Sequence, residues 1–338
     1  MKNQTKRFCA LSLFASLLLF AATHAQQKSW YKGNTHAHTI NSDGDTSPDE
    51  VVRWYKEHGY NFLVLSDHNF VTEIEGLNSI FGAKERFILI KGEEVTDDFK
   101  DKPIHVNGLN IRQVVPPQHG PGILETIQNN VNAIRDAGGV PHINHPNFGW
   151  AITAEQLRLV QNDRLFEIFN GHPRVHNAGG GGSPSLEEMW DLILSTDKLL
   201  FGIAVDDAHH FKGEFAPDRS NPGRGWVMVH ASELTAIGIL AAMENGDFYA
   251  STGVTLSDYS ATNEEMQLKI EEQPSFKYTT YFMGDGGKLL AALDGPTACY
   301  RLSGEEKYVR ARVQDSMGHI AWTQPFYPKP PTATLQSQ

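Results

Sequence analysis

Two cysteines, Cys9 and Cys299, are all that 338 residues carry, which excludes a disulfide-stapled scaffold and a cysteine-built zinc module. Positive charge is short too. Against 40 Asp and Glu stand 29 Lys and Arg, and the resulting −11 has the wrong sign for a general nucleic-acid or anionic-membrane binder. The apolar run at residues 10–22 falls short of the ~20 residues a membrane span needs. Two catalytic signatures are also missing. There is no Gly-x-Ser-x-Gly elbow, and the glycine run at 179–182 lacks the Lys-Ser/Thr that would make it a phosphate-binding loop. What remains, 40% hydrophobic and 20% charged, is a globular chain long enough for about two domains.

The first 25 residues read as a secretory signal peptide. Lys2, Lys6 and Arg7 precede the apolar run, and small residues Thr23 and Ala25 flank a cleavage point before Gln26. Those three cations leave with the segment and no acidic residue does, so the mature chain carries −14. The expectation is a secreted, periplasmic protein with no stable membrane insertion.

From Gln26 onward strand-like runs alternate with helical ones. Ser47-Pro48-Asp49-Glu50 is a helix start, with Ser47 as N-cap and Glu50 closing a capping box. Residues 62–65, 87–90, 140–143, 165–169 and 199–205 are mostly apolar, as in a parallel sheet with both faces covered. Helices are expected near 123–137, 185–195 and 232–245. From about Thr255 the helical period stops and short alternating runs begin, which predicts a small β-rich, sandwich-like extension over 255–330 and a frayed tail at 331–338.

Histidine is the anomaly. Of 15, 13 fall between His36 and His230, and polar residues cluster where the apolar runs end. His36-Ala37-His38 puts two imidazoles on one face of an extended segment, and Asp207 with His209 repeats that spacing. Asp43, His68, Glu94, His105 and His145 complete a set of nine oxygen and nitrogen donors, with Glu93 as the neighbouring alternative to Glu94. Carboxylates and imidazoles without thiolate suit Zn, Mn or Fe. Nine donors exceed what one ion needs, so a cluster of two or three divalent ions is expected.

The series His-x-His-Thr, Ser-Asp-Gly, Ser-Asp-His-Asn, Gly-x-Glu, a later His, His-Pro-Asn and Asp-x-His, from about Asn34 to His210, resembles the PHP superfamily, named for polymerase and histidinol phosphatase domains. That resemblance implies a distorted (β/α)7 barrel over residues 26–254 with a trinuclear site at the strand C-termini. It implies one ion on His36, His38, Glu94 and Asp207, a second on Glu94, His105 and His145, and a third on Asp43, His68 and His209. The family often carries His where this chain has Asp43. The leader, Arg224-Gly225-Trp226 and the β-rich end look like a secreted subgroup that includes carbaryl-hydrolase-type proteins and predicted phosphoesterases.

Such a centre hydrolyses esters with a hydroxide drawn from metal-bound water, whose pKa falls from near 16 towards ~7. The expected substrate is a small-molecule phosphate ester, with a carbamate or carboxyl ester as the alternative and a non-catalytic metal-binding module as a further one. Arg174, Arg224 and Asn170 are the candidate substrate contacts, and His172 and His210 the candidate proton donors to the leaving group.

Overall fold

The structure, a computed structural model, describes residues 28–329 except residues 85 and 197. The expected leader at 1–25 and tail at 331–338 lie outside the described residues. Among the described residues, no helix is long and apolar enough to cross a membrane.

The chain begins β1 (Ser29–Asn34), α1 (Pro48–Glu57), β2 (Phe62–Leu65), α2 (Glu75–Phe81), β3 (Ile88–Phe99) and β4 (Lys102–Leu109). It continues α3 (Ile123–Asp136), β5 (Val140–Ile143), α4 (Ala154–Leu159), β6 (Leu165–Asn170), α5 (Leu186–Leu194) and β7 (Phe201–Val205). Then come β8 (Trp226–Ala231), α6 (Ala236–Glu244) and β9 (Phe248–Ser251). β2 and β7 are buried from end to end, which is why they read as unbroken apolar runs. α1 buries Val51, Val52 and Tyr55, worth about 1.5–3 kcal/mol each. Its start differs from the expected capping box. The Ser47 hydroxyl donates to the Asp49 carboxylate at 2.6 Å, a nearby charged acceptor, and makes no cap bond. True capping boxes open α4, through Thr153 and Gln156, and α5, through Ser185 and Glu188.

The C-terminal region adds β10 (Leu256–Ala261), β11 (Glu265–Ile270), β12 (Tyr278–Gly284), β13 (Lys288–Asp294), β14 (Thr297–Arg301), β15 (Arg310–Asp315) and β16 (Ile320–Thr323). Thirteen strands form one mixed sheet in the order β13-β12-β15-β16-β9-β8-β1-β2-β3-β4-β5-β6-β7, and β10-β11-β14 form a second. Phe282, Ala311, Val313 and Ala321 of the large sheet share a core with Met266, Leu268 and Ile270 of the small one, a sandwich-like packing. Four strands of the β-rich region, β12, β13, β15 and β16, continue the large sheet, because β16 pairs with β9 and carries the hydrogen bonding straight through. A buried Arg310 also ties it to α5, with Nε 2.7 Å and Nη2 2.6 Å from the Asp191 carboxylate.

The fold is therefore α/β with a mixed sheet, and it differs from seven repeated β/α units. β1-β2-β3 and β5-β6-β7 run parallel, but β4 is antiparallel to both its neighbours. β3 and β4 make a hairpin whose turn residues, Lys100 and Asp101, both have positive φ (50° and 64°). That is the geometry favoured for two-residue hairpin turns, built here without the glycine or asparagine that advertises it. One further contact positions the site. Asp207 N donates to His36 O at 3.0 Å and His38 N to Ala208 O at 2.9 Å, so the segment after β7 lies against the segment after β1.

Candidate metal centre

That junction brings His36 and His38 beside Asp207 and His209. The two imidazoles flank Ala37, whose bridge to Ala208 keeps the segment extended and both rings on one side. The chain then turns back so tightly that a Cβ on Gly44 would lie 2.8 Å from the His38 carbonyl carbon, and this turn presents Asp43. Buried Asp67 holds the turn in place by accepting the Thr39 N–H at 2.7 Å and the Ser42 hydroxyl at 2.8 Å. His68 follows β2, Glu94 lies within β3, His105 within β4, and His145 just after β5.

All nine candidate donors converge. The Nε2 atoms of His36 and His38 are 3.1 Å apart, and Asp207 Oδ1 lies 3.3 and 3.2 Å from them. Glu94 is central. Its Oε2 is 2.8 Å from His68 Nδ1 and 3.4 Å from each of those Nε2 atoms, while its Oε1 is 2.9 Å from His105 Nδ1 and 3.3 Å from His145 Nε2. Asp43 lies 3.2 Å from His209 Nε2 and 3.6 Å from both His38 Nδ1 and His68 Nε2. Three overlapping groups result, His38-Asp43-His68-His209, His36-His38-Asp207 and His68-Glu94-His105, each with ligand atoms within 4.8 Å of one another. His145 joins none of the three and adjoins them through Glu94. Glu93, the neighbouring alternative, points to the other face of β3 and accepts the Val115 N–H at 2.5 Å.

The chemistry of this donor set fits divalent ions. Glu94 Oε2 is buried without a hydrogen-bond partner although imidazole nitrogens surround it, an arrangement that hydrogen bonding leaves unsatisfied. Burial alone would raise the Glu94 carboxyl, but His36, His105 and His68 hold it well below the usual range. Asp207 behaves alike: burial raises it, and His36 and His38 outweigh that. Burial, then repulsion from His209, pushes His38 down to about 4, so its ring is neutral at pH 7, the form that ligates.

The remaining candidates divide. Arg174 sits over the Phe148 ring at 5.3 Å and pairs with no carboxylate among the described residues. It lines a cleft of about 880 Å³ with Thr96, Asp98, His105, Phe148 and His176, so the cleft opens onto the cluster through His105. Arg224 is committed elsewhere. Its guanidinium donates to Gly171 O at 2.9 Å and Ala216 O at 2.6 Å, strapping two loops together, so its geometry does not bear out a substrate anchor. Asn170 is spent too, donating to Glu167 at 2.8 Å and Asp207 at 3.1 Å and accepting the His172 N–H at 2.8 Å.

Burial pushes His172 down to about 4, and its Nδ1 accepts the Arg174 N–H at 3.2 Å. At neutral pH the ring is neutral, with Nδ1 accepting and the one N–H on Nε2, which makes it a weak acid towards a leaving group. His210 Nδ1 is buried without a hydrogen-bond partner, and its ring stands 6.4 Å from that of His209. Sequence reasoning passed over Glu167 and Asn144. Asn144 donates to Glu94 Oε1 at 2.7 Å, and Glu167 is wholly buried against His36. The signal for Glu167 was present as a carboxylate inside the apolar run 165–169.

No protein-family model matches the chain. Among curated proteins, a 5'-3' exoribonuclease of Haemophilus influenzae is 36% identical over 86 residues, 25% of this chain. The match spans 31% of that enzyme's length. Among solved structures, an amidohydrolase from Chromobacterium violaceum aligns over 56% of this chain and 93% of its own, with a TM-score of 0.38 and 17% identity. A two-domain protein of Bacteroides vulgatus, containing a predicted PHP-like metal-dependent phosphoesterase, aligns over 85% of this chain and 90% of its own, with a TM-score of 0.50 and 18% identity. Over 85% of its length this chain shares the fold of that two-domain PHP-like protein.

Proposed function

We propose that the chain is a metal-dependent hydrolase of the PHP superfamily, a phosphoesterase acting on a small-molecule ester. The observation that carries the reading is Glu94, a buried carboxylate set among His36, His38, His68, His105 and His145 with one oxygen left without a hydrogen bond. A closed structural zinc site needs only four ligands, whereas nine donors beside an open cleft favour catalysis. Two or three divalent ions, Zn, Mn or Fe, would be held by His36, His38, Asp43, His68, Glu94, His105, His145, Asp207 and His209. Such ions supply Lewis acidity towards the ester's oxygens and a hydrolytic nucleophile from water at neutral pH.

The chain's own residues do the rest. Arg174, with no carboxylate partner among the described residues, binds the charged oxygens of the ester. Phe148 and His176 line the cleft that receives the leaving group. Its proton comes from water or from His210, whose ring adjoins that of His209. The likeness to an exoribonuclease supports phosphoryl over carbamoyl chemistry, while the net charge of −11 argues for a small substrate rather than a nucleic-acid chain. We keep residues 26–254 as the catalytic unit, 255–330 as its β-rich extension, and export to the periplasm as the destination.

The test is a panel of aryl phosphate monoesters, phosphodiesters and aryl carbamates on Zn-, Mn- and Fe-reconstituted protein. Metal-dependent turnover of a phosphate ester is expected. Faster cleavage of carbamates would select the carbaryl-hydrolase-like alternative, and no turnover of any ester would leave a metal-binding module.

A further inference from the structure

Glu167 lies mid-way along β6 and is wholly buried. A carboxylate taken out of water costs several kcal/mol unless donors surround it. Three do. His36 Nδ1 lies 2.7 Å from Oε1, and Oε2 accepts the His145 backbone N–H at 2.7 Å and the Asn170 amide at 2.8 Å. Each donor belongs to, or adjoins, a segment that carries a candidate ligand. An ionised carboxylate only accepts, so His36 Nδ1 must hold the proton and a neutral His36 ring leaves Nε2 bare. That Nε2 is the atom facing His38 Nε2 at 3.1 Å and Asp207 Oδ1 at 3.3 Å. Asn170 repeats the device. Its amide bonds Asp207 Oδ2 at 3.1 Å and leaves Oδ1 towards the two imidazoles.

We infer that Glu167, seconded by Asn170, is a positioning residue for the metal centre: it sets the tautomer of His36 and, through Asn170, decides which oxygen Asp207 turns inward. The inference rests on the metal-hydrolase reading. Neither residue lines the substrate cleft, so their effect falls on the metal and on turnover rather than on ester binding.

Glu167→Gln is nearly isosteric but turns an amide NH2 towards at least one of the three donors. Zn2+ affinity, measured by competition with a chromophoric chelator, should weaken about 10- to 100-fold, the usual cost of losing such a partner. With saturating Zn2+, kcat should fall while KM for a phosphate ester stays within about twofold. Glu167→Asp keeps the charge and should recover part of the Zn2+ affinity. Asn170→Ala should weaken Zn2+ binding with Glu167 untouched, which keeps the idea testable if the Glu167 variants fail to fold. Wild-type Zn2+ affinity in folded Glu167→Gln, or in Asn170→Ala if only that variant folds, overturns the inference, even where thermal stability drops. If the wild-type protein itself takes up no divalent ion, the metal-hydrolase reading falls, and this inference with it.

Discussion

Replacing Arg174 by Ala separates phosphate esters from neutral esters. The guanidinium stacks on Phe148 at 5.3 Å and has no carboxylate partner among the described residues, so its loss strands no buried charge. Only a partly exposed cation–π contact is given up, worth about 0.5–1 kcal/mol, and the melting temperature should fall by at most ~2–4 °C. The effect on catalysis should be larger. A hydrogen bond from a charged donor to the ester's oxygens contributes about 1.5–3 kcal/mol, so kcat/KM for phosphate esters should fall about 10- to 100-fold. A neutral carbamate does not lean on that cation and should be cleaved by the variant as by the wild type. Steady-state kinetics on metal-reconstituted protein with one ester of each class measures this directly. Arg224→Ala is the control. It loses two bonds to loop carbonyls, at Gly171 and Ala216, and should cost about 1–3 kcal/mol in urea unfolding without altering the phosphate-to-carbamate ratio. Unchanged phosphatase kinetics in Arg174→Ala would refute the anchoring role, and a shifted ratio in Arg224→Ala would show the anchor had been assigned to the wrong arginine.

Three further outcomes are expected. Elemental analysis of reconstituted protein should give two to three divalent ions per chain, and Glu94→Gln should lose at least one of them together with activity, whereas Glu93→Gln, on the opposite face of β3, should keep the full complement. Asp191→Ala leaves Arg310 buried with only Glu187 at 2.9 Å, and should cost about 3 kcal/mol in urea unfolding, the lower end for a broken buried pair. The Glu306 carboxyl is held down to about 2, where burial would raise it but the Ser303 N–H and Tyr300 hydroxyl prevail. Its folded value lies below its unfolded one, so its stabilisation is present above pH ~4.5 and disappears as pH falls towards 2. Solvent screening at this partly exposed site reduces it to about 1 kcal/mol, and Glu306→Gln should flatten the acid limb of the unfolding curve by that amount.

Several features of the molecule were legible in the chain itself because they are local. The two-residue spacing of His36 and His38 obliges an extended segment to show both rings on one side, and the apolar run at 62–65 needs cover on both faces. The polar groups after successive runs marked one end of the sheet as the place to look, and eight of the nine donors named there fall into the three groups, with His145 beside them at Glu94. The β-rich character beyond residue 255 followed from a change of period that any short window reveals.

Other features needed partners from far along the chain. The hairpin at Lys100-Asp101 carries no Asn-Gly or Asp-Gly pair to announce it, so the antiparallel course of β4, which carries His105 to Glu94, emerged only when β3 and β5 flanked it. Glu93 and Glu94 are chemically identical neighbours. Which one meets the imidazoles is a matter of facing, and in a strand a one-residue change of register reverses it. Arg174 and Arg224 are likewise equal as letters. Arg224 is claimed by carbonyls 53 and 8 residues away, and that separation is invisible to any local pattern. Glu167 meets His36 from 131 residues away. Sequence determines which groups exist and which way a segment can turn them. Only tertiary packing decides which are buried together, and there the imidazoles hold Glu94 and Asp207 low against the pull of burial, while burial itself lowers His38.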